Sequence, residues 1–257
     1  MPTLPSQDQR TTDELFAVAL EGDYEDETPW HAVAALRLRG TTEVFDLAVE
    51  YARSSKPKAR ARGLDVLAQL GAGKAESERP YLNRCVSIAI ESLKDSDPLV
   101  AHSAAWALAH LGTDEAVTAL LPLKHHSDSG VRTAVAYGVA SSKGPAPVTT
   151  LIELMTDSDD DVRDWATFGL GSISAADSSE IRTALRDRFA DPYEPVRSEA
   201  VWGLARRKDT DALRSLLERL EGKTWQSGDE MAAAEILNLE YGTPVEKLRD
   251  GVRGLIA

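Results

Sequence analysis

Four aromatic residues recur at nearly equal intervals along the chain. They are Trp106, Tyr137, Phe168 and Trp202, and the intervals between them are 31, 31 and 34 residues. Each ring of this size offers about 150–250 Å² of apolar surface on which a protein segment or a flat small molecule can stack. Four rings on one surface would cover roughly 600–1,000 Å², about one side of a standard protein interface.

Charged and polar residues accompany these rings at helical spacing. His102 and Asp164 each precede a ring by four positions, and Arg206 follows the last ring by four. Residues four apart lie on the same face of a helix. Trp165 adds a further ring beside Asp164. We predict a protein-binding groove formed by Trp106, Tyr137, Phe168, Trp202, His102, Asp164, Trp165 and Arg206. The alternative is that the aromatic rings pack sideways between helices.

The residue patterns that support catalysis or metal binding are absent from the sequence. His125 and His126 are adjacent, so on a helix they diverge by about 100° and chelate poorly as a pair. Cys85 is the one cysteine and lies in an apolar stretch, which favours a core position. The aspartates within 157–161 are typical of helix capping rather than of a calcium loop. We therefore expect no catalytic residue, no metal and no cofactor.

An internal repeat specifies the elements that position the rings. Four segments align without gaps and begin at Val100, Val131, Val162 and Val196. Their apolar positions fall on one helical face, and the aromatic position lies about 160° away from its centre. Weaker copies begin near Thr28, Ala59 and Glu230. The long interval between the copies that begin at Ala59 and Val100 predicts an insertion at 71–81.

Between these segments lie second helical patterns with apolar spacings of three and four, and no sustained alternation typical of strands. Because a helical pair cannot bury its apolar face alone, neighbouring pairs must stack. We predict an all-α fold: a right-handed α-solenoid of about seven helical hairpins with a C-terminal capping helix that begins at Thr243 and Pro244. Residues 1–11 are predicted to be a flexible N-terminus, and 12–257 a single domain.

An arginine follows the first residue of most copies, and we expect it to bond to the Asp-rich turns of adjacent repeats. These arginines are Arg60, Arg132, Arg163 and Arg197.

The net charge restricts the class of partner. The chain carries 29 Lys and Arg against 42 Asp and Glu, a net charge of −13. Nucleic acids and anionic membranes are bound mainly through Lys and Arg, so we expect neither as a partner. No secretory signal and no apolar run of membrane-spanning length is visible. We predict a cytoplasmic protein that binds a partner with a basic surface.

The motif D-x-x-V-R-x-x-A-x-x-x-L-x-x-L-G resembles the HEAT repeat, and most closely its short variety named after phycobilisome-lyase proteins. The segments Asp161-VRDWATFGL and Glu194-PVRSEAVWGLARRKD are also similar to bacterial HEAT proteins of the YibA type. That resemblance implies an immunity protein that sequesters a toxin domain, because this type is associated with Rhs toxin loci. Resemblance to the phycobilisome class implies the alternative, a lyase that handles a bilin chromophore.

Two enzymatic HEAT-like classes fit less well. HEAT-like DNA glycosylases use groove aromatics with an aspartate, a grouping that Asp164, Trp165, Phe168 and Trp202 could mimic. Such enzymes need a basic groove to hold phosphates, however, and this protein is acidic. Deoxyhypusine hydroxylase binds iron through His-Glu dyads, and here the matching positions read His102-Ser103 and Ser198-Glu199. We therefore predict a non-enzymatic binding module.

Overall fold

Helices account for the regular structure of this chain. The computed structural model describes residues 5–71, 78–222 and 226–257. Within these ranges there are fifteen α-helices and no strand, so the predicted all-α fold class is confirmed. Much of the predicted 71–81 insertion, residues 72–77, lies outside the described residues, as do residues 1–4 of the predicted N-terminal segment.

The chain divides into two compact units, Met1–Gly138 and Val139–Ala257. The division falls inside the 12–257 domain, whose unity stays a prediction. The helices up to this point are α1 (Thr12–Ala19), α2 (Glu27–Arg39), α3 (Thr42–Ala52), α4 (Pro57–Ala68), α5 (Leu82–Ser92), α6 (Pro98–Leu111), α7 (Asp114–Leu120) and α8 (Ser129–Val139), which contains the division. The later helices are α9 (Pro145–Leu154), α10 (Asp160–Phe168), α11 (Ser179–Asp187), α12 (Glu194–Arg206), α13 (Thr210–Glu221), α14 (Ser227–Ile236) and α15 (Val245–Ile256).

Local residue chemistry sets where the helices of the first unit begin and end. The Thr41 hydroxyl accepts a hydrogen bond from the Val44 N–H at the start of α3, and Asp97 caps α6 in the same way. Such caps satisfy backbone donors that the helix itself leaves unpaired. Gly112 ends α6 in the left-handed conformation, with φ of 64°, which glycine adopts without strain.

Successive helices of the first unit pack as hairpins. Helix α4 packs against both α3 and α6, and α6 packs against α5 and α7. The apolar face of the repeat is buried as predicted, because Val100, Ala104 and Leu108 are fully inaccessible.

The second unit repeats this packing, with α12 in contact with α10, α11, α13 and α14. A short π-helix, Gly169–Ile173, follows α10. Its Gly171 and Gly203 of α12 allow a close backbone approach, since a Cβ added at Gly203 would lie 2.6 Å from the Gly171 Cα. The terminal helix α15 packs on α13 and α14. It begins at Val245, two residues after Thr243, whose hydroxyl donates to the Glu240 carbonyl instead of capping the helix.

Two of the predicted arginines link consecutive repeats, an arrangement that we call the arginine clamp. Arg60 Nε and Nη2 donate to the two carboxylate oxygens of Asp95 at 2.7 and 2.8 Å. Arg163 makes the same bidentate contact with Asp191, at 3.0 Å for both bonds. Each arginine also donates to carbonyls of the turn before its own helix. The predicted bond to the adjacent repeat is therefore confirmed at these two positions. The other two arginines donate to their own turns.

Candidate functional site

A cluster of three rings lies on α6 and α8 in the first unit. The Trp106 ring centroid is 5.8 Å from that of Tyr137 and 5.8 Å from that of His110, and His110 contacts Tyr137 edge-on at 5.1 Å. All three side chains are half-buried. Burial, assisted by the positive charge of Arg37, lowers the pKa of His110 to about 4. The imidazole is therefore neutral at physiological pH, and the cluster presents uncharged rings.

Two of these rings, Trp106 and His110, border a cavity of about 250 Å³. Its lining includes Tyr24, Trp30, Arg37, His102, Trp106 and His110. His102 Nδ1 lies 3.7 Å from Asp128 Oδ1. The structure therefore brings two of the predicted site residues, His102 and Trp106, to one cavity, and places Tyr137 in ring contact with Trp106.

A buried polar cluster forms one wall of the cavity, and sequence reasoning missed it. The Tyr24 hydroxyl donates to Asp65 Oδ2 at 2.6 Å and lies 2.8 Å from Ser103 Oγ. Arg62, which is fully buried, donates to the same Asp65 oxygen at 3.1 Å. Its guanidinium also lies 4.0 Å from the Tyr24 ring centroid and 4.6 Å from that of Trp30. The available signal was the pair of opposite charges at 62 and 65, three residues apart in the otherwise apolar segment 61–68 of α4.

In the second unit, a carboxylate and two rings lie together on α10. The Trp165 and Phe168 rings meet edge-to-face with centroids 5.8 Å apart. Asp164 is half-buried one turn before Phe168, and its Oδ1 is buried without a hydrogen-bond partner. Burial raises the pKa of Asp164 to about 6, and the charges of Asp161 and Glu194 add to this effect. Among the residues that the structure describes, no cation is placed to favour the charged form of this carboxyl group.

A second carboxyl group, Glu199 of α12, lies close enough to Asp164 to interact with it electrostatically. Burial raises the pKa of Glu199 to about 7, opposed by a hydrogen bond from Ser172 Oγ at 3.0 Å. Arg206 Nη1 donates to the same Ser172 oxygen at 3.1 Å, while its Nε donates to Glu235 at 2.8 Å. The guanidinium of the predicted site residue Arg206 is thus engaged in hydrogen bonds to Ser172 and Glu235. We call Asp164, Trp165, Phe168 and Glu199 the acidic-aromatic patch.

Trp202 of α12 packs against α14, a helix of the following repeat. Its Nε1 donates to Asp229 Oδ1 at 2.8 Å, and Asp229 is 1% exposed. A Cβ added at Gly228 would lie 2.1 Å from the Trp202 ring, so the indole rests against this glycine at the start of α14. This is the sideways packing that the sequence left as the alternative, and a role of Trp202 in binding stays a prediction.

A family profile described as HEAT repeats matches residues 86–171 and 148–238, which together span more than half of the chain. The chain belongs to the HEAT-repeat family. No curated protein matches it.

Solved structures place this HEAT-repeat chain in the fold of the HEAT and armadillo solenoids. YibA of Escherichia coli superposes with a TM-score of 0.72 at 24% identity, covering 96% of this chain and 93% of YibA. Yeast importin-beta (Kap95p) gives a TM-score of 0.64 at 14% identity, covering 95% of this chain and 37% of Kap95p. Kap95p in a structure with RanGDP gives a TM-score of 0.62 at 13% identity, covering 96% of this chain and 35% of the matched chain. The likeness to YibA agrees with the resemblance seen in the repeat motif.

The remaining sequence-predicted groups of this HEAT-repeat chain have structural partners. Asp159 accepts from the N–H groups of Asp161 and Val162, which is the predicted helix capping. His126 Nδ1 accepts from the Asp128 N–H. Cys85 is buried, which raises the pKa of its thiol to about 11.

The described residues contain no group of three His, Cys, Asp or Glu side chains arranged to hold a metal ion. Over the same residues, no helix combines the length and apolar character needed to cross a membrane.

Proposed function

We propose that this HEAT-repeat chain is a non-enzymatic protein-binding module that holds a basic segment of its partner on the acidic-aromatic patch. The observation that carries the proposal is the unpartnered, buried Oδ1 of Asp164 beside the second half-buried carboxyl group of Glu199. A half-buried carboxylate without a cation is costly to ionise. A Lys or Arg side chain from a partner would remove that cost.

The rings beside the carboxyl groups suit the same ligand. Trp and Phe faces attract ammonium and guanidinium groups, with gains of about 0.5–2 kcal/mol depending on desolvation. Trp165 and Phe168 are half-buried, so part of each ring is available for contact. The net charge of −13 would also attract a basic partner and accelerate its association at low salt.

The relatives support this class of function. The structure with RanGDP concerns the binding of Kap95p to a protein partner. The resemblance of the repeat motif to YibA-type proteins supports a finer form of the proposal, in which the partner is a toxin domain and the chain is its immunity protein. In that role the module blocks its partner by occupying a surface rather than by chemistry.

The test compares capture of a partner from the native host by wild type and by two patch variants. Phe168→Ala removes a ring and Asp164→Asn removes the charge. Truncation at an interface centre costs about 2 kcal/mol or more, which is over tenfold in affinity. Tyr241→Ala is the matched control, because this aromatic side chain in the same unit is 71% exposed and lies outside the patch.

Titration calorimetry with the identified partner gives a second, independent readout. A bound cation lowers the pKa of both carboxyl groups, so binding releases protons near pH 6.5 and tightens as the pH rises from 5.5 to 7.5. Proton uptake on binding, or equal affinity for the two patch variants and wild type, would contradict the proposal. A DNA or bilin ligand bound instead of a protein would contradict it as well.

A further inference from the structure

The cavity of the first unit carries an inference that does not depend on the proposed function. Every residue that lines it belongs to Met1–Gly138, whereas the acidic-aromatic patch lies in the other unit. Its volume of about 250 Å³ is a little below the roughly 300 Å³ at which pockets for drug-sized molecules begin. The space therefore suits a single aromatic side chain or a small ring compound.

Four charged side chains lie in the wall of this cavity or directly behind it: Arg62, Asp65, Arg37 and the exposed Glu25. Arg62 is fully bonded: its three nitrogens donate to the carbonyls of Ala19 and Tyr24 and to Asp65. Asp65 is almost fully buried and accepts from both Arg62 and Tyr24. These two charges neutralise each other. The third charge is Arg37, which is positive and half-buried, whereas the opposite charge of Glu25 is exposed to solvent.

Arg37 is incompletely paired. Its Nε donates to the Asp65 backbone carbonyl at 2.8 Å, and Nη1 reaches the Gln69 amide oxygen only at 3.5 Å. Among the described residues it forms no ion pair, although burial in this wall lowers its pKa. A guanidinium in such surroundings gains most from a carboxylate, since its planar N–H groups match the two oxygens.

Aromatic rings line the cavity on which this guanidinium lies. Arg37 lies 5.7 Å from the Trp30 ring centroid, and Trp106 and the uncharged His110 line the same space. We propose that the cavity binds a carboxylate attached to, or next to, a flat aromatic ring, with Arg37 holding the carboxylate. Such a group occurs in small aromatic acids and at the C-terminus of a polypeptide that ends in an aromatic residue.

One lining residue opposes this ligand and so provides a second test. Glu25 also borders the cavity, and its side chain is exposed. Its charge would repel an anion weakly through solvent. Glu25→Gln should therefore tighten binding of an aromatic carboxylate by about twofold, the range expected for an exposed charge pair.

The experiment titrates the full chain with 2-naphthoate and, as a neutral match, 2-naphthamide. A second arm uses a tetrapeptide ending in Trp, either as the free acid or as the amide, to separate the two sources of the carboxylate. Calorimetry gives the affinities, and the indole N–H signals of Trp30 and Trp106 in a ¹H–¹⁵N spectrum report where the probe binds. The variants are Arg37→Met, Glu25→Gln and the control Arg53→Met, which removes the same charge from an exposed position in this unit.

We expect saturable binding of at least one acid, with shifts of both indole signals. The matching amide and Arg37→Met should each weaken binding by about tenfold or more, the loss expected for a hydrogen bond to a charged group, and Arg53→Met should leave it unchanged. Equal affinity for acid and amide, an equal loss in Arg53→Met, or no saturable binding of either acid would overturn the assignment. If Arg37→Met does not fold, two tests remain that leave Arg37 in place: the comparison of acid and amide with wild type, and the titration of Glu25→Gln.

Discussion

Replacing Glu199 with Gln should stabilise the protein at pH 8 and have little effect at pH 5. Burial raises the pKa of Glu199 from 4.5 to about 7 in the folded protein. Between these two values the folded state holds a proton that the unfolded state releases, so stability falls as the pH rises through this window. Above pH 7 the buried carboxylate is charged and the full cost is present. Glutamine has the same shape and never ionises, so the variant does not incur this cost.

The magnitude follows from the displaced pKa. At about 1.4 kcal/mol per pKa unit, the change from 4.5 to about 7 corresponds to about 3 kcal/mol. The side chain is half-buried, and solvent screening reduces the expected gain to about 1–2 kcal/mol at pH 8. The hydrogen bond from Ser172 persists in the variant, because the glutamine carbonyl accepts it in place of the carboxylate.

Urea unfolding of wild type and Glu199→Gln at pH 5 and pH 8 measures this effect, with equal m-values as the check on two-state behaviour. Glu218→Gln on α13 is the matched control, because that carboxylate is exposed in the same unit. A variant that is less stable than wild type at pH 8, or a gain that is the same at both pH values, would refute the burial argument. An equal gain in the control would instead assign the effect to net charge.

Three further predictions concern the packing of the repeats. Arg163→Met should cost about 3 kcal/mol, because it leaves Asp191, 5% exposed, without its bidentate partner; urea unfolding checks this, and a loss below 1 kcal/mol would argue against the clamp. Gly203→Ala should destabilise by about 1–3 kcal/mol, since the new Cβ would lie 2.6 Å from the Gly171 Cα; an unchanged melting temperature would show that the helices can separate there. Cys85 should react with a thiol reagent at pH 8 only in denaturant, because it is buried and its pKa is about 11; rapid modification of the native protein would contradict this placement.

The features that one repeat determines by itself could be predicted from the sequence. The buried face of α6, with Val100, Ala104 and Leu108, follows from spacings of three and four within a single helix. The capping role of Asp159 also depends only on its own turn. The arginine clamp joins two repeats, but it too was predictable, because the same residue recurs at the same position before turns that supply the acceptor.

The environment of the aromatic position could not be predicted in the same way. A helical wheel treats Phe168 and Trp202 as equivalent, yet Trp202 is bonded to Asp229 of the following repeat and Phe168 contacts Trp165. The difference depends on which side chain the next helix presents, and on the space that Gly228 leaves for the indole ring. Neither is visible from the repeat that carries the tryptophan.

Glu199 and the polar wall of the cavity were missed for a related reason. Glu199 precedes Ala200, which lies on the apolar face of α12. Whether such a flanking position is half-buried depends on the neighbouring α10 and on the π-helix that follows α10. The hydrogen bond from Tyr24 to Asp65 joins residues 41 apart, and the contact of Tyr24 with Ser103 joins residues 79 apart. Pairings at such separations are not encoded in any local period.

The arginine clamp also bears on how such a chain can grow. Its two members join residues only 35 and 28 positions apart. Asp191 accepts hydrogen bonds from Arg163 at its carboxylate and from Arg197, in its own repeat, at its backbone carbonyl. A copy that carried both halves of the clamp would bring a guanidinium for the turn that follows and a carboxylate for the helix that precedes. Duplicating such a copy would add a donor and an acceptor together and leave no charge unmatched at either junction. Contacts this close in sequence also lower the contact order, which favours fast folding from local nuclei. Gene duplication could therefore lengthen the array one copy at a time without passing through a badly destabilised intermediate.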